Sequence, residues 1–127
     1  MAQEECLILI AEDEPPIAEV VAEVVRELGC TPLVAADGLQ ALEIARARCP
    51  AVLITDLMMP HLSGADLIAA LHNEPSAPTA PAPRIILMTA AGRQAAHTAG
   101  ADAVLLKPFD LDALESLLRR FLQGAPA

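Results

Sequence analysis

The sequence predicts an α/β domain built on a parallel sheet. Short apolar runs alternate along the chain with segments of helical period, the pattern of βαβ units. Charged residues stand directly behind several of those runs: Glu12 and Asp13 after CLILIA, Asp56 after AVLIT, and Lys107 after AVLL. In an open parallel sheet such positions meet at one edge, where ligands bind. The 127 residues suit a single domain with one hydrophobic core. The expected core spans about residues 6–122, with a proline-rich loop at 73–83 and a tail at 123–127.

The elements follow in order. Cys6–Ala11 reads as a buried strand. Pro15 and Pro16 suit the first turn of a helix, where a missing N–H removes no hydrogen bond. Ile17, Val20, Val21, Val24, Val25 and Leu28 recur at helical spacing on its inner face, and Gly29 ends it. Thr31–Ala35 is the second strand, Leu39–Arg48 the second helix with Leu42 and Ala45 inward, and Ala51–Thr55 the third strand. A polar loop, Asp56–Gly64, leads to a short helix at about Ala65–His72. Arg84–Met88 and Ala103–Leu106 are the fourth and fifth strands. Asp110 can cap a last helix that turns Leu111, Leu114, Leu117, Leu118 and Phe121 inward. The segment NEPSAPTAPAP, residues 73–83, reads as an extended surface loop.

Composition narrows the function. Hydrophobic residues make up 54% but aromatics only 2%, so an aliphatic core is expected and the composition is unusual for a carbohydrate-binding or base-stacking surface. A formal charge of -9 opposes binding to nucleic acid or anionic lipid. No basic leader opens the chain, and no apolar run approaches the ~20 residues that span a bilayer. Cys6, Cys30 and Cys49 have no metal-ligand spacing. They read as small buried residues, which implies a reducing cytoplasm. His61, His72 and His97 share no such spacing either, and His61 reads as a solvated loop residue.

The strand-end acids carry the chemistry. Carboxylates gathered at one edge repel one another, and a hard cation relieves that repulsion. Mg²⁺ suits a few carboxylates supplemented by waters and substrate oxygens. Lys107 offers a point charge for a carboxylate or a phosphoryl group, and Lys107–Pro108 is a candidate cis peptide. The hydroxyl of Thr89, at the end of the fourth strand, can donate to a phosphoryl oxygen.

With these residues in view, the chain resembles the receiver domain of two-component response regulators. The matching pieces are Glu12–Asp13, the DLMMPHLSG block from Asp56 to Gly64, MTA at Met88–Ala90 and LKPF at Leu106–Phe109. AADG at Ala35–Gly38 and AGAD at Ala99–Asp102 add to them. The resemblance implies a flavodoxin-like (βα)5 fold with strand order 2-1-3-4-5. It implies that Asp56 accepts a phosphoryl group from a phosphohistidine on a histidine kinase or phosphotransfer protein. Asp13 and Asp56 would bind Mg²⁺ directly, Glu12 through water, and the Met58 carbonyl would complete the ligands. Thr89, Ala90 and Lys107 would contact the phosphoryl group. The protein would be a phosphoacceptor switch, not an enzyme acting on a separate substrate. It would pass its signal to an effector or a second copy, with no direct contact to nucleic acid and no membrane insertion.

Two features depart from the family. Val104 stands where an aromatic residue often couples the switch, and the stretch from Thr89 to Lys107 is short by roughly one helical turn. A non-standard output face is therefore expected, with a short or displaced helix in GRQAAHTAG. No output domain is expected after QGAPA, which leaves a stand-alone receiver or a piece of a larger regulator. The rival readings are a degenerate receiver that only binds partners and a Mg²⁺-dependent aspartyl phosphohydrolase. The phosphohydrolase would want a second aspartate where Met58 stands. A dinucleotide site is disfavoured, since no GxGxxG follows the first strand.

Overall fold

The computed structural model describes residues 6–73, 82–90 and 100–123. Its elements are β1 (Leu7–Ala11), α1 (Pro15–Glu27), β2 (Thr31–Ala35), α2 (Gly38–Arg48), β3 (Val52–Asp56), α3 (Gly64–Asn73), β4 (Arg84–Thr89), β5 (Ala103–Leu106) and a last helix, α4 (Leu111–Leu122). All strand pairs are parallel, in the order β2-β1-β3-β4-β5. The register aligns Ala11 with Ala35 and Thr55, and Asp56 with Met88. The carboxyl ends of the strands therefore form one edge.

Successive strand residues point to opposite faces, and each face is buried. Ile8, Ile10, Val52, Ile54, Ile86 and Met88 pack with Val21, Val25, Leu114 and Leu118 of α1 and α4. Leu9, Leu53, Ile85 and Leu87 pack with Ala41, Ala45, Leu67 and Ile68 of α2 and α3. This two-sided burial is why the central strands read as continuous apolar runs.

Local signals set the boundaries. Pro15 opens α1, and Gly29 takes φ +83 just past its end. There the Gly29 N–H donates to the Arg26 carbonyl and the Cys30 N–H to the Val25 carbonyl, a Schellman closure. Asp37 caps α2 by accepting from the Gln40 N–H at 2.8 Å. Asp102 joins β5 to β4, its carboxylate accepting from the Ile85 N–H at 2.7 Å.

Four expectations need correction. Val20 and Leu111, assigned to inner helix faces, are 43% and 47% exposed. The apolar arc of α1 is wider than the sheet covers, and Leu111 lies in the first turn of α4, ahead of the buried Leu114. Asp110 occupies the N-cap position of α4 but makes no side-chain cap bond. The cysteines are not buried thiols: Cys6 and Cys30 are half-buried and joined by a disulfide, and Cys49 is exposed. The expected short helix at GRQAAHTAG and most of the proline-rich loop lie outside the described residues.

Leu114 tests the helix-to-sheet packing. Leu114→Ala should lower unfolding free energy by about 3 kcal/mol in urea titration, since it empties a fully buried site between α4 and the sheet. A loss below about 1 kcal/mol would mean that α4 does not pack there as described.

Candidate phosphoryl and cation site

The strand ends deliver their side chains to one place. Glu12 follows β1, with its N–H donating to the Ala35 carbonyl at 3.0 Å, which continues the β1–β2 ladder by one bond. Asp56 closes β3 and Thr89 closes β4, both buried. Lys107 follows β5, its N–H donating to the Thr89 carbonyl at 2.8 Å. The Lys107–Pro108 peptide is cis.

Carboxylate oxygens of Glu12, Asp13 and Asp56 lie within 4.8 Å of one another. The Lys107 Nζ donates to Glu12 Oε1 at 3.0 Å and to Asp56 Oδ2 at 3.1 Å. The Glu12 side chain is fully buried and its other oxygen accepts from the Glu14 N–H at 3.1 Å. Asp13 is exposed beside them. Three carboxylates and one ammonium leave a local formal charge of −2, which a divalent cation cancels. The all-oxygen donor set is that of a hard cation.

Burial lifts the Glu12 pKa above its ordinary value of 4.5; the hydrogen bonds from Lys107 and the Glu14 N–H oppose this, and the Asp56 charge adds to it. Burial works against the Lys107 ammonium, but its hydrogen bonds to Glu12 and Asp56 outweigh that, and its pKa is raised from 10.5. The consequences for stability are opposite at neutral pH. The Glu12 contribution is complete below pH 4.5 and is lost as pH rises through its folded value. Ionised Glu12 thus destabilises the cation-free fold. The Lys107 contribution is fully present at neutral pH and is lost only above 10.5.

The loop after Asp56 is held at several points. The Leu57 N–H donates to the Met88 carbonyl and the Gly64 N–H to the Leu57 carbonyl. Gly64 lies so close to the Asp56 carbonyl, and Gly38 to the Leu62 carbonyl, that a Cβ at either position would collide. His61, with φ +71, places Nδ1 3.0 Å from Asp37 Oδ2. The Asp37 pKa is lowered, first by the bond from the Gln40 N–H and then by His61. Sequence reasoning missed this clamp: it joins residues 24 positions apart, and no local pattern marks it.

Met58 and Ala90 are exposed at the rim. Val104 is half-buried against the cluster containing Leu9 and Leu87, away from the carboxylates. Pro16, Ile17 and Val20 of α1 face Lys107, Phe109 and Leu111 across an apolar groove of about 540 Å³ beside the site.

The model of the response regulator receiver domain matches residues 8–119. The chain belongs to the response regulator receiver domain family. It is 35% identical over 121 residues to the probable transcriptional regulatory protein TcrX of Mycobacterium tuberculosis, covering 91% of this chain and 49% of that one. It is 31% identical over 120 residues to the response regulator Rre1 of Synechocystis, covering 91% of this chain and 51% of that one. The chain thus spans about half the length of the curated relatives it matches. Among solved structures, the receiver domain of the Francisella response regulator 1452 is similar with a TM-score of 0.83 and 26% identity, covering 96% of this chain and 100% of that one. Among the described residues, no helix is long and apolar enough to cross a membrane.

The ion pairs yield a paired prediction. In cation-free buffer at pH 7, Lys107→Met should lose about 3 kcal/mol of stability, because it strands two buried carboxylates. Glu12→Gln should gain stability, and the gain should shrink as pH falls toward 4.5. Urea titrations at both pH values check this. A Glu12→Gln protein less stable than the parent at pH 7 would contradict the assigned balance.

Proposed function

We propose that the chain is a phosphoacceptor switch in which Asp56 accepts a phosphoryl group from a partner phosphohistidine. The observation that carries this reading is the Lys107 ammonium shared between Asp56 and Glu12, beside Asp13. An Asp56 carboxylate oxygen attacks phosphorus, the P–N bond of the phosphohistidine breaks, and the imidazole nitrogen leaves with the bonding pair. Phosphoryl transfer depends chiefly on positioning and charge stabilisation. Asp13 and Asp56 would hold Mg²⁺ directly, with Glu12 through water and the Met58 carbonyl completing the set, to supply charge neutralisation for the transferring oxygens. Lys107 would turn from the carboxylates to a phosphoryl oxygen, and the Thr89 hydroxyl and the exposed Ala90 backbone would contact the others. The acyl phosphate adds charge and strong acceptors at a buried strand end, which biases a two-state equilibrium.

The donor is a histidine kinase or phosphotransfer protein, docking over the apolar groove between α1 and Phe109. Such a donor sets the compartment as the cytoplasm. The switch reads as one receiver unit over residues 6–122, acting on an effector or a second copy without direct contact to nucleic acid. With Val104 in place of an aromatic, the signal would leave by a non-standard route.

Incubation with a small-molecule phosphoryl donor and Mg²⁺ should add one phosphoryl mass, absent from Asp56→Asn. No gain with any donor would favour a degenerate receiver that only binds partners. Met58, 73% exposed at the rim, can neither orient nor activate a water, so self-dephosphorylation should be slow. An acyl phosphate that disappears within seconds in Mg²⁺ buffer alone would contradict that.

A further inference from the structure

The Cys6–Cys30 bridge sits at the end of the sheet opposite the carboxylates. Backbone hydrogen bonds outside the bridge place its two cysteines. The Schellman closure at Gly29 turns the chain so that the Cys30 N–H meets the Val25 carbonyl at 3.2 Å. The Thr31 N–H then donates to the Cys6 carbonyl at 2.8 Å, and Leu7 pairs with Thr31 at the start of the β1–β2 ladder. Cys6 and Cys30 are therefore neighbours across adjacent parallel strands, with Cα atoms 4.8 Å apart, within disulfide range. Both are half-buried at the margin of the core. β2 is one of the two edge strands of the sheet. The covalent ring encloses β1, Glu12, Asp13 and the whole of α1.

We propose that Cys6 and Cys30 form a reversible thiol–disulfide site that exchanges with low-molecular-weight disulfides of the glutathione class. Closing it staples the β1–α1–β2 unit. One cysteine thiolate attacks the small disulfide, forming a mixed disulfide and releasing one small thiolate. The second cysteine thiolate attacks the protein-bound sulfur of that mixed disulfide, forming the Cys6–Cys30 bond and releasing the second small thiolate. Two protein thiols are oxidised, one small disulfide is reduced to two thiols, and the two protein protons pass to the leaving thiolates. The strand register makes the second step intramolecular and fast. Because the ladder and the Schellman turn hold both cysteines in place, opening the bridge leaves the strand pairing intact. The gain on closure comes from restricting the unfolded and partly opened chain across a sequence separation of 24. Residues of α1 that line the groove beside Lys107 lie inside the ring. This site does not depend on the phosphoacceptor reading.

The test uses the full chain carrying Cys49→Ser, so that one thiol pair remains. The protein is reduced without denaturant, equilibrated at graded ratios of oxidised to reduced glutathione, acid-quenched, alkylated and weighed intact. The expected result is a two-state passage from two alkylated thiols to none, without retained glutathione. Tm should be higher by roughly 10 °C in the oxidised form, at any protein concentration, and amide exchange in α1 should be slower. Cys30→Ser should melt with the reduced protein and, lacking the second thiol, should stop at a glutathione mixed disulfide on Cys6 at oxidising ratios. In the chain that keeps both Cys6 and Cys30, a stable glutathione adduct, an intermolecular dimer, a bridge that survives the fully reducing ratio, or an unchanged Tm would each overturn the proposal. The reduced parent chain serves as the folded control should Cys30→Ser not fold.

Discussion

The shared ammonium of Lys107 is the interaction on which the site depends. Glu12 follows β1 and Asp56 closes the adjacent β3, and their buried carboxylates oppose one another. Left alone, that pair would destabilise the very strands that must end there. Lys107 lies 3.0 Å from one and 3.1 Å from the other, which makes burial tolerable while leaving the cluster short of neutrality. The remaining negative charge is what a divalent cation can offset. A site fully neutralised by protein groups would be stable and inert.

The sheet exists to bring these groups together. β1, β3, β4 and β5 are consecutive in the sheet order, so the residues following them fall side by side although they are far apart in sequence. The two apolar layers cover the strands on both sides, with Ile10 and Ile54 on one face and Leu9 and Leu53 on the other. The loop after Asp56 has its own anchors. Gly38 and Gly64 permit the close approach, and the Asp37–His61 contact adds a tether from the start of α2.

Much of this was legible in the sequence, for physical reasons that can be named. An apolar run that stops abruptly at a carboxylate or a lysine marks a strand end in a parallel sheet, and Glu12, Asp56 and Lys107 were each readable in that way. Proline at the start of α1 and glycine past its end located the helix, because each acts through its own backbone. Val20 and Leu111 were misread because periodicity gives the apolar arc of a helix but not how much of it the sheet covers. The resulting exposed residues line the groove beside Lys107. The Cys6–Cys30 bridge and the Asp37–His61 clamp were invisible for a different reason. Each depends on a chain reversal and a strand register that no short sequence window contains.

Among the described residues, Glu12, Asp13 and Asp56 are the one group of carboxylates placed so that they could hold a cation, out of 17 acidic residues in the sequence. Titration with Mn²⁺ while observing backbone amide resonances tests this most directly. Paramagnetic broadening at substoichiometric Mn²⁺ should centre on Glu12, Asp13, Asp56 and Leu57, be relieved by excess Mg²⁺, and vanish in Asp13→Asn. Broadening spread over the acidic faces of α1 and α4, unchanged by Asp13→Asn, would contradict the account.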